Sequence, residues 1–175
     1  MMTSRKSFTL ALALVSALSL AACTKKNTTA GLGTDGLGGP GMGLAGGSSQ
    51  VAGSPDDFKV NVGDRIFFHM DQTDLTGESQ DTLMKQAAWL KQYPDVTVQI
   101  EGHADERGTR EYNISLSARR AVATRNFLIA QGISSARIST IAYGKERPAA
   151  LCDAEECWSQ NRRAVTVITG GARTS

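Results

Sequence analysis

The sequence predicts an α/β domain in which a β-sheet carries its helices on one face. Residues 96–101 alternate apolar and polar side chains, which is typical of a strand with one buried face. Residues 77–90 repeat apolar side chains at helical spacing. The predicted elements follow the order strand, helix, strand, helix, strand, loop, strand. Two strand–helix–strand units imply parallel neighbours in the sheet.

Each predicted element has a pattern or an end signal of its own. The first helix places Leu83, Ala87 and Leu90 on one face and ends before Pro94, because the residue that precedes a proline is disfavoured in a helix. Gly132 closes the longer second helix. In chain order, the elements are a strand over 65–70, a helix opening at 76–78, a strand over 96–101, a helix over 113–131, and strands over 138–143 and 164–169.

The composition fits one globular domain and argues against two functional classes. A chain of 175 residues is long enough for one ordinary domain. The formal net charge of +2 argues against a strongly basic nucleic-acid binder. Three cysteines without a Cys-x-x-Cys pair, together with two histidines, argue against a zinc cluster. No cofactor is expected.

Residues 1–22 predict a signal peptide. Arg5 and Lys6 form a short basic start, and residues 8–22 are apolar or small, a run too short to span a bilayer as a stable helix. A buried helix of the mature fold is the alternative, but the segment has no polar face to present to water. The sequence Leu20-Ala21-Ala22-Cys23 resembles the bacterial lipobox, which implies that the thiol of Cys23 is acylated and anchors the chain in a membrane.

The residues that follow predict a tether and its location. Thr24 follows the cysteine, at a position where an Asp would favour retention in the inner membrane. By resemblance to lipoprotein sorting signals, its presence implies that the protein is anchored in the outer membrane. Residues 23–54 then form the lipidated cysteine and a flexible linker, because ten of the 18 glycines fall within 24–54. A phosphate-binding loop is not supported, since no Gly-Lys-Ser/Thr follows. The folded domain is predicted over 55–175.

Loss of the signal peptide changes the charge of the chain. The segment carries two of the 19 basic residues and none of the 17 acidic ones, which leaves 17 of each. Binding by the mature protein must therefore come from local, paired charges and not from long-range attraction to a polyanion.

The most polar stretch of the domain, 101–109, follows the end of a predicted strand, where ligand sites of α/β sheets gather. Three interpretations of it stay open. His103 and Asp105, with Glu106, act as acid and base or bind a metal. Asp105 forms a structural salt bridge with Arg120. Alternatively, Asp105 accepts a hydrogen bond from a ligand ammonium group while Arg120 binds the carboxylate of the same zwitterion.

The helix after this stretch supplies the second half of the candidate site. Asn113 or Ser115 is expected to cap it. Arg119 and Arg120 point about 100° apart on a helix, so only one of them is expected to face the loop.

The stretch 101–109, followed by Glu111-Tyr112-Asn113 and by Leu116-Ser117 with Arg119-Arg120-Ala121, resembles the OmpA-like peptidoglycan-binding domain. Segments 143–148 and 161–165 match later motifs of the same family. The resemblance covers about residues 60–169. It implies an α+β sandwich whose mixed sheet carries helices on one side, in agreement with the predicted order of elements.

The resemblance implies a non-enzymatic protein that binds the diaminopimelate of peptidoglycan stem peptides. The family's ligand-contacting Asp and Arg fall on Asp105 and Arg120. Thr109, Asn113 and Leu116 match positions that line the same site. The Phe-Asp pair of the family corresponds to Met70-Asp71, where a flexible Met replaces the aromatic ring. His69 receives no role.

The resemblance also implies partners and a place in the cell. These are the Tol–Pal envelope system, with TolB and other Tol proteins as partners, and a lipid-anchored position in the outer membrane with the domain in the periplasm. No nucleic acid is expected. The alternative function is a cell-envelope hydrolase that uses His103 and Asp105.

Six further side chains have alternative roles. Cys152 and Cys157 are predicted to form a disulfide in an oxidising periplasm, with two free buried thiols as the alternative. Trp89 and Trp158 are predicted to lie in the core and not to act as ligand platforms. The pair Arg162-Arg163 either holds carboxylates of the stem peptide or forms surface salt bridges.

Overall fold

The computed structural model describes residues 51–174. The predicted signal peptide, Cys23 and most of the glycine-rich linker lie outside these residues. Gly53 and Ser54, assigned above to the linker, already contact the domain, because the Gly53 N–H donates to Asp57 at 2.9 Å and Ser54 caps the first helix. None of the helices within 51–174 is long and apolar enough to cross a membrane.

The observed elements contain all the predicted ones and add short helices. In chain order, they are helix α1 (Pro55–Asp57), a π-helical stretch (Phe58–Gly63), strand β1 (Arg65–Phe67), helix α2 (Gly77–Gln92), strand β2 (Thr97–His103), helix α3 (Arg110–Ala130), a 3₁₀ turn (Ser135–Arg137), strand β3 (Ile138–Gly144), helix α4 (Glu155–Asn161) and strand β4 (Arg163–Gly170). β1 ends three residues earlier than predicted, so Met70 lies in a turn. α4 is the most consequential addition, because the sequence predicts a loop over this segment.

The four strands form one mixed sheet in the order β1-β4-β2-β3. β2 and β3 are parallel, as predicted, while β4 runs antiparallel to both β1 and β2. The prediction that the first strand–helix–strand unit joins neighbouring strands is wrong, since β4 lies between β1 and β2. A helical crossover is long enough to pass over one strand position, and the local sequence carries no signal for the strand that fills it. The predicted class, a mixed sheet with helices on one face, is confirmed.

The hydrophobic core lies between this sheet and the two long helices. Val98 and Ile100 on β2 are buried, as their alternation predicts, and they pack in one cluster with Leu83, Leu90 and Leu128. Trp89 also lies in the core, as predicted, and its indole N–H donates to Asp57 at 2.9 Å.

The closest approach between sheet and helix occurs at Gly102, near the end of β2. A Cβ atom placed on Gly102 would lie 1.9 Å from the carbonyl oxygen of Ser117 on α3. The Ser117 hydroxyl in turn accepts from the N–H of Gly144 at 3.0 Å. These contacts seat the end of β2 directly against the first turns of α3, and they therefore fix where the loop after β2 begins.

His103, the last residue of β2, is buried without a hydrogen-bond partner for either ring nitrogen among the described residues. The nearest carboxylate oxygen belongs to Glu101 and lies 3.6 Å from Nε2. Burial, and after it the positive charges of Arg163 and Arg147, lower the pKa of His103 to about 4. The ring is therefore neutral at physiological pH.

Replacement of Gly102 by Ala should destabilise the domain by about 3 kcal/mol, because the backbone of α3 must move away from β2 to admit a methyl group. Urea unfolding measures the change. Gly77→Ala is the matched control, since nothing lies within 4 Å of a Cβ at this position. It should be neutral or stabilise by up to about 1 kcal/mol. Equal stability of the two variants would contradict the close approach.

Stability should fall as the pH decreases from about 6.5 to 4. Over this interval the unfolded chain binds a proton at His103 while the folded domain does not, so the unfolded state is favoured. The pKa of His103 differs between the unfolded chain, at 6.5, and the folded domain, at about 4. This difference corresponds to about 3 kcal/mol of folding free energy. Urea unfolding at several pH values should show a shallower dependence of stability on pH in His103→Phe than in the wild type, whereas the control Ala136→Ser, at an exposed position and without a titratable group, should follow the wild type. Identical slopes in all three proteins would refute the assignment.

Candidate functional site

A cavity of about 330 Å³ opens where three segments meet, namely the turn after β1, the loop after β2 and the N-terminal half of α3. It brings together six of the seven residues that the resemblance implies for ligand binding. The predicted residues that line it are Met70, Asp71, Asp105, Asn113, Leu116 and Arg120. The seventh, Thr109, lies beside the cavity as the N-cap of α3, where its hydroxyl accepts from the N–H of Tyr112 at 3.2 Å. The expectation that Asn113 or Ser115 caps this helix is therefore wrong.

Three further residues line the cavity without having been predicted as site residues: Arg107, Gly108 and Tyr112. All three stand inside the motifs that carried the family resemblance. The signal was therefore present in the sequence, but only the fold shows that the Arg107 side chain turns toward Asp105 and that of Tyr112 toward Asp71.

Arg120 forms the floor of the cavity and is fully buried. Its guanidinium donates to three backbone carbonyls, those of Gln72 at 2.9 Å, His103 at 2.9 Å and His69 at 3.1 Å. Because a guanidinium has five N–H donors, two remain that bond no carbonyl. The neighbouring Arg119 is exposed and donates to Ser115, so the prediction that only one of the two arginines faces the loop is confirmed.

Arg120 keeps its charge despite its burial. Burial lowers the pKa of Arg120 to about 10, and the nearby carboxylate of Asp105 opposes that decrease. At neutral pH, the floor of the cavity therefore carries a full positive charge.

Asp105 is paired with two arginines, neither of which is Arg120. Arg107 donates to it through both its guanidinium and its backbone N–H, and Arg162 Nη1 lies 3.3 Å from Oδ2. The interpretation of Asp105 and Arg120 as a structural salt bridge is therefore wrong. Burial by itself raises the pKa of Asp105, but the hydrogen bonds and charge of Arg107, together with Arg162, outweigh burial and hold the pKa below its usual 3.8.

The loop that carries Asp105 is held from two sides through three consecutive backbone carbonyls. The Asn113 side chain donates to the carbonyl of Arg107 at 2.8 Å. On the other side, the Lys145 ammonium donates to the carbonyls of Glu106 at 3.0 Å and Gly108 at 2.9 Å. Asn113 therefore acts through the loop backbone and not as a helix cap.

The turn after β1 closes the remaining side of the cavity. Asp71 has a left-handed backbone conformation with a φ of 57°, which Asp tolerates better than most residues. This conformation turns its carboxylate toward the hydroxyl of Tyr112, which donates to it. Met70 beside it is 61% exposed, so its side chain is free to contact a ligand at the rim.

Trp158 differs from its prediction, and the surface salt-bridge role is excluded for Arg162 and Arg163. Trp158 is half-buried, its N–H donates to Glu106, and the Arg107 guanidinium lies 4.1 Å from its ring centroid. The prediction of a core position is therefore wrong for Trp158. Arg162 is buried and paired, not part of a surface salt bridge, and the buried Arg163 donates to the carbonyl of Arg147 at 3.2 Å.

The two residues of the hydrolase alternative are not brought together. Asp105 lines the cavity, whereas the buried ring of His103 does not and lies instead beside Tyr143, with 5.5 Å between the ring centroids. Within residues 51–174, no three His, Cys, Asp or Glu side chains are grouped as metal ligands.

Comparison with known proteins identifies relatives across most of the chain. A model of the OmpA family matches residues 67–162. The peptidoglycan-associated lipoprotein of Agrobacterium fabrum is 55% identical over 91% of this chain and 86% of its own length. The protein of the same name from Brucella melitensis is 53% identical over 94% of both chains.

Solved structures agree with the sequence comparison. The peptidoglycan-associated lipoprotein of Burkholderia pseudomallei superposes with a TM-score of 0.62 at 35% identity, over 66% of this chain and all of that one. The C-terminal domain of Helicobacter pylori MotB has a TM-score of 0.58 at 21% identity, over 61% of this chain and 84% of that one, which shows a shared fold alone. This chain therefore belongs to the OmpA family, among the peptidoglycan-associated lipoproteins.

Proposed function

We propose that this protein is an outer-membrane lipoprotein that binds peptidoglycan stem peptides non-covalently and tethers the outer membrane to the cell wall. The observation that carries the proposal is one cavity that holds a charged arginine in its floor and the carboxylates of Asp71 and Asp105 in its walls. The names of the relatives, all peptidoglycan-associated lipoproteins, support the same conclusion.

The charges of the cavity suit the zwitterionic end of diaminopimelate. An ammonium group donates to Asp105, whose lowered pKa keeps it ionised at every physiological pH. A carboxylate accepts from the two N–H groups of Arg120 that bond no carbonyl. Asn113 and Leu116 shape the wall between these charges, and Met70 covers the apolar stem of the ligand at the rim.

The segments before the domain supply the membrane end of the tether. Acylation of Cys23 holds the chain in the outer membrane, and a linker of the composition of 24–54 has a root-mean-square span of about 30 Å. Many such proteins acting together hold the wall by avidity, so no chemical step is needed. By family resemblance, the protein works within the Tol–Pal envelope system, with TolB and other Tol proteins as partners.

Disruption of either charged contact in the cavity should abolish tight binding. Asp105→Asn and Arg120→Lys should each lose about 2–4 kcal/mol of binding free energy, roughly 30- to 1000-fold in Kd. Asn carries no charge to pair with the ligand ammonium group, and the compact ammonium of Lys keeps the charge but lacks the planar fork that binds a carboxylate through two N–H groups. Calorimetric titration of the full chain in detergent with a diaminopimelate-containing stem peptide measures the loss. Arg119→Ala, on the exposed side of the same helix, and Asp153→Asn, in an exposed loop, are the matched controls.

Circular dichroism must show each variant folded, since Arg120 also joins three backbone segments. Asp105→Asn keeps the shape of the side chain, loses only the charge that pairs with Arg107 and Arg162, and keeps the test decisive if Arg120→Lys unfolds. Unchanged affinity in Asp105→Asn would reject the site. Release of soluble fragments from purified cell wall would instead favour the hydrolase.

The ligand itself offers a complementary test. A stem peptide with lysine in place of diaminopimelate keeps the ammonium group and lacks the side-chain carboxylate. It should bind at least tenfold more weakly to the wild type, because it leaves the buried charge of Arg120 without a partner. Equal affinity for the two peptides would show that Arg120 does not bind the carboxylate.

A further inference from the structure

The Asp105 loop is braced by α4, a helix that is too short to be stable by itself. α4 has seven residues, and its N-cap residue, Ala154, offers no side chain to the free N–H groups of the first turn. The first turn is instead tied by the Cys152–Cys157 disulfide, whose Cα atoms are 5.6 Å apart. Cys157 is a buried residue of α4, whereas Cys152 is exposed in the preceding loop.

One face of α4 meets the loop after β2. Glu155, Trp158 and Arg162 follow the spacing i, i+3, i+7, which places them on the same side of the helix. The Trp158 N–H donates to Glu106, and the Trp158 ring stacks on the Arg107 guanidinium.

Both cations that pair with Asp105 are therefore held by α4. Arg107 lies between the Asp105 carboxylate and the Trp158 ring, an arrangement that combines an ion pair with a cation–π contact. Arg162, at the C-terminal end of α4, donates to Asp105 and also to Glu155 at the start of the same helix. The side chain of Asp105 is only 10% exposed, so these two partners determine which lone pairs remain directed at the cavity.

We propose that the Cys152–Cys157 disulfide and Trp158 are positioning elements of the binding site, which hold Arg107 and Arg162 on Asp105 and so orient its carboxylate toward the ligand. This inference rests on the proposed function. It assigns to the disulfide an effect on affinity that is separate from its effect on global stability. The physical basis is preorganisation, because a carboxylate that is already oriented loses less conformational entropy when a ligand binds.

Loss of either the Cys152–Cys157 disulfide or the Trp158 ring, which together form the brace of the Asp105 loop, should weaken binding by about tenfold without unfolding the domain. The variants are Cys152→Ser/Cys157→Ser, which removes the disulfide, and Trp158→Leu, which keeps the disulfide and removes the ring. Calorimetric titration of the full chain with the diaminopimelate-containing stem peptide measures Kd at a temperature where circular dichroism shows each variant folded. Ile133→Val is the matched control, since it weakens the core far from α4 and should bind like the wild type.

A second measurement decides the inference without any ligand. Carboxyl-carbon NMR titration gives the pKa of Asp105, which should rise toward its ordinary value in both variants, because Arg107 and Arg162 are no longer fixed beside it. If the wild type fails to bind the peptide, the proposed function falls and the pKa of Asp105 still tests the brace. An unchanged pKa in both variants, or two free thiols among Cys152 and Cys157 in the oxidised wild-type protein, would overturn the proposal.

Discussion

The buried guanidinium of Arg120 is the contact on which the rest of the site depends. Its three bonds to carbonyls join the turn after β1, the end of β2 and helix α3, segments that are far apart in sequence. A lysine ammonium lacks the fixed fork that satisfies three acceptors in different directions, so the structure itself requires arginine at this position. The same side chain thus builds the cavity and supplies its positive charge.

Glycine at position 102 makes this arrangement possible. Because Gly102 has no side chain, the backbone of α3 lies directly against β2 at this point. The first turns of the helix therefore lie beside the loop that follows the strand. Asn113 and Leu116 then line the same cavity as Asp105, and Arg120 comes close enough to bond the carbonyl of His103. A wider spacing between strand and helix would separate the two halves of the site.

The charges around Asp105 are balanced locally, in keeping with a mature chain predicted to carry no net charge. Arg107 and Arg162 pair with the carboxylate of Asp105, and Arg162 also pairs with Glu155. Glu106 accepts a hydrogen bond from the N–H of Trp158, whose ring stacks on Arg107. Such compensation holds the loop in place and leaves the cavity to discriminate by the position of charges, not by their sum. It also places α4 and its disulfide next to the site, so a segment that looks peripheral in sequence becomes part of the binding surroundings.

The sequence by itself determined the principal strands and helices and the fold class, because periodicity encodes them directly. Its motifs, through their resemblance to the family, predict six of the nine residues that line the cavity, Asp105 and Arg120 among them. Only the tertiary structure decided which elements and side chains contact one another. β4 lies between β1 and β2 in the sheet, and Asp105 pairs with Arg107 and Arg162, not with Arg120. Trp158 lies outside the core and stacks on Arg107. These choices depend on contacts between residues distant in the chain, and no local pattern specifies which of several arginines reaches a given carboxylate.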